Sequence, residues 1–476
     1  MAYRHGERHQ QMLFPQRIED YISQEDPVRV YDAFVDALEW ATLGIDYDPR
    51  KVGCPQFCPK TMLKILIYGY SYGVRSSRKL ERALYHNVSF MWLAGGLKPD
   101  HKTISEFRRH HQEALKKVIK QCARLCLKLD VIAGNVLFVD GSKFRANAGI
   151  DKTRTLKGCE EALAKLDERI DQLFRQCEQV DQAEEAQGSL VKLQEDLTQT
   201  QQLKAKVQST LAILKAEGLD RMNTTDPQCV RVHGRQGAHA GYNSQIVVDE
   251  QHGLIVHSDV VNENNDLQQF AHQIEQAHET LDSPCKTAVA DAGYSNADEL
   301  EKIDRQGIKV IVPNSRQASD KVPGPFDKSH FEYISQEDCY ICPAGQRLTY
   351  LGYDRKKKAD IYSAGRKTCL ACQHFGLCTK AKTYGRMILR YRNHAVRVKL
   401  AEQYEEASSQ VVFSRRKERA ELPFGHIKRN LGMGSFLLRG LTGVRAEMAI
   451  ACSCFNLARL IGLLGVSGLL KKLTPL

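Results

Sequence analysis

The 476-residue chain has no uninterrupted apolar run: its one long apolar stretch, residues 448–470, carries Asn456 and Arg459. An ionisable group at mid-span is costly in lipid, so a buried C-terminal helix is predicted there and a membrane span is not. The opening residues, MAYRHGERHQ, lack the apolar segment of a secretion signal. Without that signal the 15 cysteines do not read as a disulfide framework; they point to reduced thiols or metal ligands, and to a cytoplasmic protein. The composition of disorder is missing too, since 42% of residues are apolar and 26% charged. What the chain does have is length and positive charge. It exceeds the roughly 250–300 residues at which one hydrophobic core stops growing, so two or more domains are predicted. A formal charge of +11 and a pI near 8.9 favour a polyanionic partner, nucleic acid first.

Residues 1–130 read as short helices parted by glycine turns. Residues 61–72 (TMLKILIYGYSY) form an apolar helix, and SSRKLERALYHN follows Gly73 with Ser76 or Ser77 placed to cap it. The segment FMWLAGG closes on two glycines, and Thr103-x-x-Glu106 reads as a capping box. Arg75, Arg78, Lys79, Arg82, Arg108 and Arg109 make this a candidate helix-turn-helix-like DNA-binding domain. A helical bundle with a solvated basic face is the bland alternative.

Residues 156–220 differ in character. Leu156, Cys159, Leu163, Leu166, Ile170, Leu173, Cys177 and Val180 fall alternately three and four apart, a heptad seam. A weaker seam runs through Leu193, Leu197, Val207, Leu211 and Leu214, and Lys204 stands where an apolar residue is wanted. A helical hairpin insertion is predicted, pairing with itself or with another subunit. Around it, residues 131–155 and 221–313 alternate strands and helices. VLFVD ends in Asp140, YNSQIVVD and GLIVHSDV form a hairpin, KTAVAD ends in Asp291, Asn296 caps ADELEKIDRQ, and IKVIVP is a last strand. That order is the order of an α/β ribonuclease-H-like core, a mixed sheet flanked by helices.

Two carboxylates at the ends of apolar strands suit a divalent ion bridging to a phosphate, although each alone reads equally well as a strand-end cap. A third acid is sought on a later helix, and Glu421 in RRKERAELPFGHIKRN is the best candidate. Pro423 places that glutamate at a helix start, since proline is tolerated in a first turn. Tyr242, Asn243 and Gln245 either line such a site or stabilise the hairpin.

These residues carry a resemblance. YGYSYGVRSSRKLERALYHNVSFMWLAGGLKPDHKTISEFRR, LFVDGSKFRANA, GYNSQIVVDEQHGLIVHSDVVNENND, ADAGYSNADEL and ERAELPFGHIKRNLGMGSFLLRG resemble segments of bacterial insertion-sequence DDE transposases of the ribonuclease-H-like superfamily. The resemblance runs from about residue 25 to 465. It implies Asp140, Asp291 and Glu421 as catalytic residues and ligands of two Mg²⁺ ions, with Mn²⁺ as a substitute. It also implies cleavage of DNA, transfer of the 3′-OH ends to target DNA, a homodimer on DNA, and no membrane partner. Related families carry Tyr-x2-Arg-x3-Glu-x6-Lys around the glutamate. Here Lys428 keeps the last position, Lys417 replaces the arginine and Ser414 the tyrosine, which puts the hairpin or flipped-base handling of that signature in doubt. Lys428, Arg415, Arg416 and Lys417, with Arg419 and Arg429, are expected DNA contacts. A non-catalytic DNA-binding protein, such as a decayed copy, and a ribonuclease-H-type nuclease without strand transfer are the competing readings.

Residues 314–390 form a cysteine-rich insertion ahead of the glutamate helix and C-terminal helices of residues 391–476. Cys339-x2-Cys342 and Cys369-x2-Cys372, with Cys378 after them, read as a structural Zn²⁺ site. The 26 residues between the pairs exceed the usual spacing of about 15–20, so a small insertion with free thiols remains the alternative. Cys54-x3-Cys58 reads as loop thiols, and Cys452 with Cys454 as helix core.

Overall fold

The computed structural model describes residues 17–45, 56–182, 187–234, 237–319 and 324–473, with backbone alone for those described between 178 and 190. Cys54 and the side chain of Val180 therefore lie outside the described residues. The chain forms two compact units. The first comprises residues 1–266, 275–284 and 417–476, the second residues 267–274 and 285–416.

The first unit opens with the expected helices. Pro59 starts the helix Pro59–Ser71, where its missing N–H has no partner to lose. Gly69 lets the next helix, Ser77–His86, pack closely: a Cβ there would stand 2.3 Å from Leu80 Cδ2. Two caps differ from expectation. Ser76 occupies the cap position without a side-chain cap bond. The helix His101–His110 starts earlier than the capping-box reading, because Asp100 accepts from Thr103 N at 2.7 Å and leaves Thr103 inside the first turn.

The sheet of this unit is antiparallel. Its strands are β1 (Val136–Arg145), β2 (Val230–Gly234), β3 (Gly237–Asp249) and β4 (Ile255–Val261). The long β3 pairs β1 along one edge, and β2 and then β4 along the other. The β3–β4 hairpin is as expected, whereas β2 gave no clear apolar signal. Between β1 and β2 stands the helical hairpin, Leu156–Gln182 and Gln187–Ala216. Its two seams meet in a cluster of Cys159, Val207, Leu214 and Met222, with Leu163, Leu166 and Leu211 against it. The gap at Lys204 is filled by an ion pair to Asp167 at 2.6 Å, so the hairpin pairs with itself.

The apolar C-terminal stretch forms the helix Gly440–Leu464, broken at Gly465 (φ +70°) before Val466–Leu473. It is long and apolar enough to cross a membrane, yet 67% of its most apolar window is buried within the protein. The polar residues that interrupt it dock it on the sheet. Asn456 bonds both the N–H and the carbonyl of Ile255, each at 2.8 Å, and Arg459 donates to the His252 carbonyl at 2.7 Å.

The second unit holds a parallel pair, β5 (Thr287–Val289) and β6 (Lys309–Ile311), joined through the helix Ala297–Asp304. Asn296 caps that helix as expected. The cysteine-rich insertion is a five-stranded antiparallel meander: β7 (Glu332–Ile334), β8 (Cys339–Ile341), β9 (Arg347–Asp354), β10 (Ala359–Ser363) and β11 (Met387–Tyr391). Phe331, Tyr340, Leu348, Tyr362 and Ile388 form its own small core. Helical N-terminal region and mixed α/β elements are compatible with a ribonuclease-H-like transposase fold.

Candidate active site

Asp140 does not end its strand. β1 runs on to Arg145, because Asp140 sits opposite Ile246 and the pairing with β3 continues through Phe144 and Tyr242. Strand side chains alternate between faces, so Asp140, Ser142 and Phe144 share one. The helix Arg416–Arg429 covers that face: Lys428 Nζ donates to Ser142 Oγ at 2.5 Å and to the Lys143 carbonyl at 3.1 Å, and lies 4.6 Å from the Phe144 ring centre. Phe424 and Phe436 pack on the same ring. At the other end of the helix, Arg419 lies along Gly253 in the β3–β4 turn. The helix therefore follows β1 in its own direction. Glu421, three and seven residues before Phe424 and Lys428, lies on their side of the helix. Asp140 is 8% exposed, and Glu421 is exposed.

Two expectations are revised here. Glu421 is not at the helix start, and Pro423 sits inside the helix rather than in its first turn. Breaking the chain at Arg415 starts the helix well before the proline, which is held by burial beside Phe424 and Ile427. Lys428, expected at a phosphate, ties the helix to β1. Arg415 and Lys417 are exposed, and Arg416 stacks over Phe413 at 5.9 Å.

Asn243 and Gln245 are on the opposite face from Asp140. Both are fully buried, and their amides donate to Asp266 at 2.6 and 2.7 Å, with Lys143 Nζ 3.5 Å from the same carboxylate. Tyr242 is on the Asp140 face but donates to Asp226 at 2.7 Å. These three support the sheet.

Asp291 belongs to the second unit. It follows β5 by two residues and caps the short turn Ala292–Tyr294, accepting from Gly293 N at 2.8 Å. Among the described residues no three His, Cys, Asp or Glu side chains are grouped to hold a metal ion.

The basic helices divide. Arg78, Lys79, Arg82 and Arg109 are exposed, and Arg78 and Arg109 line a cleft of about 440 Å³ with Lys102 and His101. Arg108, expected to contact DNA, is 5% exposed and donates to Tyr70 Oη and to the Arg75 carbonyl. Arg75 in turn is paired with buried Glu447 at 3.0 Å. These arginines are one helical position or a few residues from exposed ones, and the charge pattern alone does not separate them. A lone acid in the apolar run AEMAIACSCF is the sequence signal for Glu447.

In the cysteine-rich sheet, Cys342, Cys369, Cys372 and Cys378 line one small cleft with His374. Cys342 Sγ accepts from Gln346 N, and Cys369 Sγ from Arg386 N, each at 3.3 Å. Backbone presses on the second sulfur: a Cβ at Gly385 would stand 2.7 Å from it. Burial raises the Cys378 thiol, Arg386 opposes, and the other three thiols add to the rise. Cys339 departs from expectation. β8 turns its sulfur toward Arg347 Nε at 3.2 Å, and it does not line the cleft, whereas Cys378 does.

Exposed basic helices ahead of an α/β sheet, with a strand-borne and a helix-borne carboxylate on one face, is a layout compatible with a DNA-processing enzyme of ribonuclease-H-like type. Residues 16–110 match the family model of a transposase domain (DUF772), and residues 341–461 match that of a transposase DDE domain. The two matches, one at each end, support an insertion-sequence DDE transposase. Asp140 and Asp291 lie between them, and Glu421 within the second. No curated protein and no solved structure matches the chain.

Proposed function

We propose that the protein binds the ends of its insertion sequence, cuts DNA phosphodiesters and joins the 3′-OH ends to target DNA, with Asp140, Asp291 and Glu421 as the catalytic acids. The observation that supports this most is within the first unit, where Lys428 docks the Glu421 helix on the face of β1 that carries Asp140. Carboxylate oxygens are the donors that Mg²⁺ and Mn²⁺ take, so the residue types fit the cofactor the family implies. Bound by these acids, two such ions would supply an acidified water and neutralise the leaving oxygen. The chain's own residues do the rest. β1 fixes Asp140 at low exposure, and the Lys428 tether sets the height of Glu421 along the strand. Exposed Arg415 and Lys417 hold backbone phosphate beside them, and Arg78, Lys79, Arg82 and Arg109 hold the DNA ends as one copy of a homodimer. Cys342, Cys369, Cys372 and Cys378 share one cleft and are the thiols we propose for a structural zinc, which would have to draw them together, since no three are grouped to hold an ion as the side chains stand.

Plasmid nicking in Mg²⁺ and in EDTA tests the reading. Asp140→Asn and Asp291→Asn should each lower nicking to background while DNA affinity stays within about threefold, since phosphate contacts supply most of it. Undiminished nicking by either variant removes that aspartate from the site. Binding without nicking by the unaltered protein favours the non-catalytic reading.

A further inference from the structure

The second unit contains a cleft of about 950 Å³ that the catalytic reading does not use, bordered by β7, β11 and the helix His394–Glu405. Lys328, Arg397 and His394 line it, and Arg390 stands beside it against the lining ring of Tyr333. Arg390 stacks over the Tyr333 ring at 4.1 Å and Arg397 over Tyr391 at 4.3 Å. Lys328 approaches the same Tyr391 ring at 5.7 Å and donates to the Leu389 carbonyl, and His394 lines the wall beside them. They are close enough to oppose one another's charge. Burial first, then Arg397 and Arg390, lowers the Lys328 ammonium below its ordinary value; burial and then Lys328, Arg390 and Arg397 do the same to His394.

Asp338, which accepts from the Tyr333 hydroxyl at 2.7 Å, attracts Arg390 from outside the cleft, and no carboxylate lining the cleft pairs with the group. Among the described residues none of the four has a carboxylate within ion-pair distance, and the buried Nε of Arg390 has no hydrogen-bond partner. The acids that share the cleft are engaged elsewhere or solvated. Asp327 pairs with Arg316 at 3.4 Å, Glu406 with Lys309 at 2.5 Å, Glu405 accepts from Gln317 at 2.8 Å, and Glu402 is exposed.

Gathering like charges in a partly dry cleft is unfavourable unless an anion completes it. A guanidinium stacked on a ring has its face covered and its edge turned out for hydrogen bonds, the geometry for gripping a phosphate; Arg397 donates its Nε to Asn393 Oδ1 at 2.8 Å and would offer its terminal nitrogens. Several cations spaced along a cleft with aromatic walls suit a chain of phosphates better than a single ion. We propose that this cleft is a groove for the phosphate backbone of a DNA strand, held by Lys328, Arg390 and Arg397. The proposal rests on the reading that the protein acts on DNA, and extends it to a surface in the cysteine-rich insertion.

The test measures affinity of the full-length protein for a short mixed-sequence DNA duplex, and for the matching single strand, across a salt series. Each phosphate contact contributes roughly 0.9 to the slope of log K against log salt for a duplex. Arg390→Gln with Arg397→Gln should lower that slope by about two and weaken binding at least tenfold in low salt. Arg390→Lys with Arg397→Lys should keep most of the slope, which separates lost charge from a damaged fold. On the unaltered protein, saturating DNA should shield Lys328 from acetylation severalfold. An unchanged slope in the Gln pair together with unshielded Lys328 overturns the groove and leaves the function standing. Failure of the unaltered protein to bind either DNA overturns both.

Discussion

At the scale of single residues, the first unit is held by a charge that the apolar C-terminal helix hides. Glu447 is fully buried and satisfied on every side. Its carboxylate takes Arg75 at 3.0 Å, the Tyr70 hydroxyl at 3.1 Å, and the N–H groups of Leu437 and Leu438 at 2.8 and 3.1 Å. Arg108 closes the network by donating to Tyr70 and to the Arg75 carbonyl. Burial, followed by the neighbouring Glu447, pushes the Tyr70 hydroxyl far above its ordinary value, so it stays a neutral donor. Removing one partner of such a pair leaves the other charged and desolvated. Glu447→Ala should therefore cost about 3–5 kcal/mol in denaturant unfolding. A loss below about 1 kcal/mol would show that Arg75 finds water or another acceptor instead. The same network explains why Arg108 and Arg109, adjacent in sequence, part company: one hundred degrees of helix rotation separates a buried donor from a solvated cation.

At the scale of elements, the cysteine-rich sheet shows how register decides chemistry. The Cys339-x2-Cys342 spacing suggests a knuckle with both sulfurs on one ion. β8 instead runs as a strand through Cys339, and the cross-strand pair Cys339–Thr349 holds that sulfur against Arg347, while Cys342 follows in the turn closed by Gly345 at φ +72°. The test is zinc content of the purified protein. Cys378→Ser should lose most of the metal and Cys339→Ser should keep it, with the lost zinc matched by newly alkylated thiols. Metal-free unaltered protein, or loss on Cys339→Ser alone, would return the assignment to free thiols or to the first pair.

At the scale of the whole molecule, the helical hairpin is self-sufficient and easily spared. Its base is a two-stranded pair in which Thr155 faces Arg221, so the chain enters and leaves at neighbouring positions. An insertion placed this way costs the host mainly loop-closure entropy. Replacing residues 156–220 with a short glycine turn should leave a cooperatively folding protein that still cuts single ends, poorly, and no longer assembles paired ends. Native gels of end-DNA complexes read the second part. Full paired-end joining by the shortened protein would make the hairpin dispensable. Phe174 and Leu203, exposed on hairpin helices whose seams are already matched, are consistent with a role outward.

Local physics made much of this chain legible. Apolar spacing, glycine turns and a heptad seam act within a few residues, and the helix Pro59–Ser71, the β3–β4 hairpin and the paired helices of 156–216 follow from them. Asp140, Asp291 and Glu421 stand out in the sequence as carboxylates after apolar runs or in a basic helix, which makes them candidates and no more. Tertiary structure alone decided what each polar group faces. Arg108 turns inward because Tyr70 and Arg75 are there, Asn243 and Gln245 turn to Asp266, Asn456 reads the backbone of β4, and Lys428 finds Ser142 nearly three hundred positions away. A buried hydrogen bond or ion pair is worth forming only where both partners are desolvated together, and desolvation is a property of the assembled core that no short window of sequence contains.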